Sequence, residues 1–121
     1  MSRERRGKQA WIDGILAEWV AIVFLRLKGF KVLHHRYRTP FGEIDVIAQK
    51  GTTVICVEVK FRRGGNDLAH SVTAYQKARI VRATLYFSRK IPENFSIRFD
   101  VLLIKPWRFP VHIENAWDAH Y

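Results

Sequence analysis

One cysteine, one methionine and four prolines in 121 residues exclude several architectures at once. A lone thiol, Cys56, forms no intrachain disulfide and cannot anchor a zinc site built on several thiolates. The chain therefore reads as a product of a reducing compartment. Glycine is also modest and aperiodic, which rules out a collagen-like or low-complexity chain. Long hydrophobic runs are missing. The longest charge-free apolar stretch, Trp19 to Leu25, is far short of the ~20 residues that span a bilayer. The basic start, Met1-Ser2-Arg3-Glu4-Arg5-Arg6, leads into an apolar stretch interrupted by Asp13 and Glu18, so no export signal is expected and the location implied is cytoplasmic.

Acidic residues are scarce too. Eleven Asp and Glu face 21 Lys and Arg, a net charge of +10 with a pI near 10.3. That is the electrostatic footprint of a nucleic-acid binder, although anionic membrane surfaces attract the same charge. With 48% apolar residues the chain has material for one core and one domain.

Periodicity orders the chain as α-β-β-β-α-β. Residues 1–9 form a basic flexible tail. Ala10 to Lys28 is helical and apolar on most sides, hence expected to be buried on several faces and capped by Gly29. Strands are expected at Phe30–Tyr37, Glu43–Ala48, Thr53–Phe61 and Ile97–Ile104. A Gly64-Gly65-Asn66 loop precedes a second helix from about Leu68 to Arg89. Beyond Pro106 and Pro110 the tail reads as irregular. The order implies an α/β sandwich with a mixed sheet, in which an antiparallel meander crosses over through a helix to a parallel strand.

In the third strand Ile55, Val57, Val59 and Phe61 alternate with Val54, Cys56, Glu58 and Lys60. In the second, Ile44, Val46 and Ala48 share a face opposite Glu43, Asp45 and Ile47. A hairpin loop at Lys50-Gly51 pairs Asp45 with Cys56 and Glu43 with Glu58. Three carboxylates and Lys60 then share one side of the sheet. Acids so close repel unless something positive compensates them, and Lys60 with a divalent cation such as Mg²⁺ or Mn²⁺ would do so. Glu18 interrupts the apolar stripe Ile15, Ile22, Leu25 of the first helix and needs a partner there. The same pattern also suits a solvated strand face with an exposed ion pair and a helix-edge glutamate paired to an arginine.

Gly42-Glu43-Ile44-Asp45-Val46-Ile47-Ala48, followed by Val57-Glu58-Val59-Lys60-Phe61-Arg62, resembles the signature of the YraN-like uncharacterised protein family. Leu27-Lys28-Gly29-Phe30, Gln76-Lys77-Ala78-Arg79-Ile80 and Arg98-Phe99-Asp100-Val101 support it. That family is similar to the PD-(D/E)xK nuclease superfamily, nearest to archaeal Holliday junction resolvases. The resemblance implies a restriction-endonuclease-like α/β sandwich, with residues 10–121 as a single nuclease-like domain. It makes Asp45, Glu58 and Glu18 the metal ligands, places Lys60 at the lysine position, and adds Gln76 as the polar residue of the second helix. The activity implied is Mg²⁺- or Mn²⁺-dependent hydrolysis of DNA phosphodiesters, structure-specific or nonspecific. A homodimer follows by analogy with junction-cutting relatives. This sequence departs from the family pattern at Ala17, where many relatives carry glycine, and at Arg36-Tyr37-Arg38, which replaces an Asn-x-Arg.

Arg36, Arg38, Arg62, Arg63, Lys77, Arg79 and Arg82 are the candidate nucleic-acid contacts around such a site. The competing readings are a noncatalytic nucleic-acid-binding protein that keeps the fold and a peripheral membrane protein drawn by the charge. No His spacing suits zinc and no serine-nucleophile motif is present. Trp11, Trp19, Phe24 and Phe30 are expected in the core.

Overall fold

In the computed structural model the described residues are 2–63 and 72–118, and they build a five-stranded mixed sheet with one helix on each face. The elements are α1 (Arg3–Leu27), β1 (Lys31–Thr39), β2 (Gly42–Lys50), β3 (Thr53–Phe61), α2 (Ala74–Ser88), β4 (Ser96–Ile104) and β5 (Val111–Trp117). The sheet order is β1-β2-β3-β4-β5, antiparallel except for the parallel β3–β4 pair. The expected meander and parallel partner are present. The expected Gly64-Gly65-Asn66 loop and the start of the second helix at Leu68 lie outside the described residues.

Two apolar layers hold the sandwich. Ala17, Ala21, Ile22 and Leu25 of α1 pack on Val46, Ala48, Ile55, Val57, Leu102 and Ile104. On the opposite face Ile80, Val81, Ala83 and Phe87 of α2 pack on Ile47, Val54, Cys56, Phe99 and Val101. The parallel strand β4 is buried on both faces from Phe99 to Ile104, as its unbroken apolar run requires.

Several expectations are corrected. α1 starts at Arg3, with the Ser2 hydroxyl accepting from the Arg5 amide, so residues 3–9 are its first turns. It buries one narrow stripe rather than several faces, and Trp11 and Trp19 stand 64% and 51% exposed instead of in the core. The tail after Pro110 is a fifth strand, not irregular chain. It lies at the sheet edge, where polar residues such as His112, Glu114 and Asn115 leave no apolar alternation to read. The β2–β3 register is shifted by two residues. Ile47 opposes Cys56 and Val46 opposes Val57, because the loop is Gly51-Thr52 rather than Lys50-Gly51. Positive φ at the first loop position alone, Gly51 at 61°, is the type II′ arrangement that glycine permits.

Candidate active site

The fork between β2 and β3 is where the acids meet. The ladder ends at Val46↔Val57, and the next rung would set Asp45 against Glu58. Instead Asp45 Oδ2 accepts from the Val59 amide at 2.8 Å, so a side chain takes the place of a ladder bond. The alternation of β2 breaks at this point. Ile44 packs in the α2 layer and Val46 in the α1 layer, contrary to the expectation that Ile44, Val46 and Ala48 share one face. Asp45 is thus carried on an irregular residue between two well-packed neighbours.

On the other edge of β2, Arg36 lies opposite Asp45, between the rungs His35↔Val46 and Tyr37↔Ile44. Its φ is 56°, in the left-handed region that costs a non-glycine residue of order 1 kcal/mol. That twist lets two consecutive residues reach one carboxylate. His35 Nε2 and Arg36 Nε stand 2.7 and 2.8 Å from Glu18 Oε1. The helix-interrupting Glu18 therefore has its partners, and its bond with Arg36 raises the arginine's affinity for its proton.

Glu58 and Lys60, two residues apart on β3, form an ion pair of 3.1 Å with both side chains about 14% exposed or less. Burial first, and then the Glu58 charge, push the Asp45 carboxyl up to about 8, with Glu18 adding to the rise and the Val59 bond opposing it. Three strands and one helix thus bring Asp45, Glu58, Lys60, Glu18 and Arg36 to one place, with His35 as an addition. Alternation would send His35 and Arg36 to opposite faces, so only the left-handed backbone at Arg36 puts both on Glu18.

Gln76 is engaged at the start of α2. Its carbonyl accepts from the Thr73 amide and its own amide donates to Thr73 Oγ1, a reciprocal cap on α2. The basic residues divide similarly. Arg38 pairs with Glu43 at 3.3 Å, and Arg63 with Asp13 at 3.0 Å. Arg62 bonds the Phe61 carbonyl, and Arg79 reaches the Phe41 carbonyl at 3.4 Å while stacking over Tyr75. Lys77 stands over the Trp117 ring, and Arg82 lines an open groove with Phe41 and Tyr86. Cys56 is fully buried, and burial holds its thiol up at about 12, which makes it core rather than nucleophile.

Residues 17–104 match the model of the uncharacterised protein family UPF0102. The chain belongs to that family. Its UPF0102 relatives include the protein of Nitrobacter winogradskyi, 43% identical over 91% of this chain and 95% of its own length. The Mesorhizobium japonicum protein is 41% identical over 91% of this chain and 90% of its own, and that of Chelativorans sp. 41% over 98% and 94%. The UPF0102 match takes in Glu18, Asp45, Glu58 and Lys60, and ends at Ile104, before the loop that joins β4 to β5.

Does this centre fit a divalent cation? Asp45 and Glu58 supply hard oxygens and carry a mutual repulsion that a cation would relieve. Glu18 is committed to His35 and Arg36. Among the described residues no three His, Cys, Asp or Glu side chains form a ready cage. The donor chemistry fits at Asp45 and Glu58, and Glu18 joins only by releasing His35 and Arg36.

Proposed function

We propose that the protein is a Mg²⁺- or Mn²⁺-dependent endonuclease that hydrolyses DNA phosphodiesters, with a structure-specific or nonspecific substrate range. The observation that carries this reading is the convergence of Asp45, Glu58 and Lys60 where β2 and β3 part, in a chain of net charge +10. A purely packing role has no use for two half-buried carboxylates set against one another, with the charge of Glu58 helping to push Asp45 up.

Asp45 and Glu58 would hold the cation, with Glu18 in reserve. A cation held there would supply a water of lowered pKa and offset charge on the phosphate. Lys60, held 3.1 Å from Glu58, can orient a water by hydrogen bonding or stabilise the negative charge that builds on the phosphate oxygens. Glu58 fixes that side chain in place. Arg36, tied to Glu18, keeps a positive charge within reach of Asp45. The remaining basic residues would bind the phosphate backbone without reading sequence.

The test is cleavage of labelled linear, flap and four-way-junction DNA in Mg²⁺, Mn²⁺ or EDTA. The wild type should cut only with metal, and Asp45→Ala/Glu58→Ala should lose the cutting. Full metal-dependent cleavage by that variant would sink the proposal. A noncatalytic nucleic-acid-binding protein is the second reading, favoured by the carboxylates being already paired with Lys60, His35 and Arg36. Salt-sensitive binding to all three DNAs with no cutting would select it.

A further inference from the structure

The loop joining β4 to β5, Lys105-Pro106-Trp107-Arg108-Phe109-Pro110, exposes its aromatics almost wholly. Trp107 is 102% exposed and Phe109 91%, while Arg108 between them is exposed as well. Large apolar rings left fully in water mark an interaction surface when they cluster beside further apolar residues. These rings do so. The loop borders an open groove of about 700 Å³ whose floor includes Leu16, Val20, Phe61 and Ile104. Arg63, Lys105 and Arg108 give its rim a positive character, against a single acid, Asp13, that Arg63 already neutralises.

The loop is also built to hold its shape. Pro106 and Pro110 bracket it, and Trp107 takes a left-handed backbone with φ 59°, a conformation rarely adopted by a bulky residue. A ring presented on a stiff support loses less conformational freedom on binding than one on a pliant loop. The placement matters too. Phe61 pairs in register with Ile104, so the loop leaves the sheet at the same end as Lys60 and Glu58. Arg63 and Asp13 bridge the end of β3 to α1 one turn before Glu18.

We infer that Trp107 and Phe109, with Arg108 and Arg63, form a platform on which unpaired bases of a nucleic-acid strand stack beside the acid centre. Exposed aromatics interleaved with arginines suit single strands, because every base has a π-face and every linkage a negative charge. Paired bases hide their faces inside the duplex and gain little from such a platform. The inference deepens the nuclease reading and rests on it for the strand's relation to Asp45, and the substrate class it names is DNA with single-stranded segments, such as flaps and frayed ends.

The test measures binding in EDTA, where cleavage plays no part. Fluorescence anisotropy with labelled oligothymidine and with a blunt duplex of equal length compares the wild type with Trp107→Ala/Phe109→Ala. The double variant should lose about 5- to 150-fold in affinity for oligothymidine per stacked base, with duplex affinity changed less than about twofold. Trp107→Phe should restore most of the loss. Arg108→Ala should lower the salt slope of single-strand binding by about 0.7. An unchanged melting temperature shows that the double variant is folded. Undiminished oligothymidine binding overturns the inference, and so does an equal loss on duplex. So does binding to phosphatidylglycerol vesicles, or self-association, that the double variant loses while still binding oligothymidine. If single-strand binding falls in a protein that never cuts, the platform stands and the nuclease reading fails. If cutting depends on Asp45 while the platform variant binds normally, the reverse holds.

Discussion

Two aspartates on this sheet are withdrawn from water, and their surroundings push their carboxyls in opposite directions. Asp100, on β4, is fully buried and takes two bonds of 2.8 Å from Arg98, one of 2.7 Å with His112 and one of 2.9 Å from the Asn115 amide. Burial alone would raise it, but the bonds from His112, Arg98 and Asn115 outweigh burial and hold it below the usual carboxylate range. Asp45 has one amide donor and two carboxylate neighbours, Glu58 and Glu18, and is pushed up to about 8. Burial is common to both. The difference lies in what was supplied to meet the charge. Asp100 is complete as a structural part, tying β5 to β4, and Lys28 at the end of α1 extends the network to His112 at 2.7 Å. Asp45 lacks a sufficient positive partner, which is the state expected of a group that meets its counter-charge only in use.

The comparison breaks most sharply at Asp100. Asp100→Ala takes from the Arg98 guanidinium its two short bonds, leaving it only Glu114 at 3.8 Å, and takes from His112 Nε2 its partner at a fully buried position. Removing one partner of such a buried pair costs about 3–5 kcal/mol. Urea unfolding at neutral pH should show a loss of that size. The sign with pH follows from the depressed value. The contribution is present above the unfolded carboxyl's midpoint near 3.8 and is lost as pH falls through the lower folded midpoint. A loss below about 1 kcal/mol would show that the network is not what secures β5.

The second aspartate should behave in the opposite way. Asp45→Asn keeps an oxygen for the Val59 amide and removes the charge that burial and Glu58 oppose. Stability should rise by about 2 kcal/mol at slightly alkaline pH, at the expense of activity. For a raised carboxyl the linkage runs downhill. The wild type loses stability as pH climbs from the unfolded midpoint near 3.8 to the folded midpoint of about 8, and the variant should lack that slope. Melting temperatures across this window check both. Mg²⁺ sharpens the contrast, because an ion bound only by the folded chain should raise the wild-type melting point more than that of Asp45→Asn. A variant less stable than the wild type at every pH would place Asp45 with Asp100.

How far the sequence foretells this contrast depends on which residue is asked about. The alternation of β3 correctly separates Val54 and Cys56 from Ile55 and Val57, and sets Glu58 beside Lys60. That Asp45 and Glu58 share one side of the sheet is also legible, although the exact rung is not, since moving the loop from Lys50-Gly51 to Gly51-Thr52 shifts every partner by two residues and sets Glu58, not Cys56, opposite Asp45. Arg36 is opaque for a different reason. A period of two assumes extended backbone, and its φ of 56° violates that locally. The Asp100 cluster joins residues up to 84 apart in sequence, from Lys28 to His112, and no local pattern marks them as neighbours. Nor does hydropathy separate a buried stripe of α1 from Leu16, Val20, Val23 and Leu27, which it leaves exposed.

The smallest test concerns how far the field of the fork extends. Glu18 contributes to the rise of Asp45 through its charge and at the same time holds Arg36, which lies opposite Asp45 on the neighbouring β1. Glu18→Gln removes one repulsion and loosens the guanidinium, so both effects favour ionised Asp45. Its amide oxygen can still accept from His35 or Arg36, and the stability change should stay below about 1 kcal/mol. A carbon-13 titration of the aspartate carboxyls should then move Asp45 down from about 8 by a fraction of a pH unit while Asp100 stays put. An unmoved Asp45 would confine the repulsion to the Asp45–Glu58 pair and leave Glu18 as the anchor of the β1 twist alone. A shift as large as that caused by Glu58→Gln would instead make three carboxylates one electrostatic unit, the arrangement that a divalent cation bridging β2, β3 and α1 would meet.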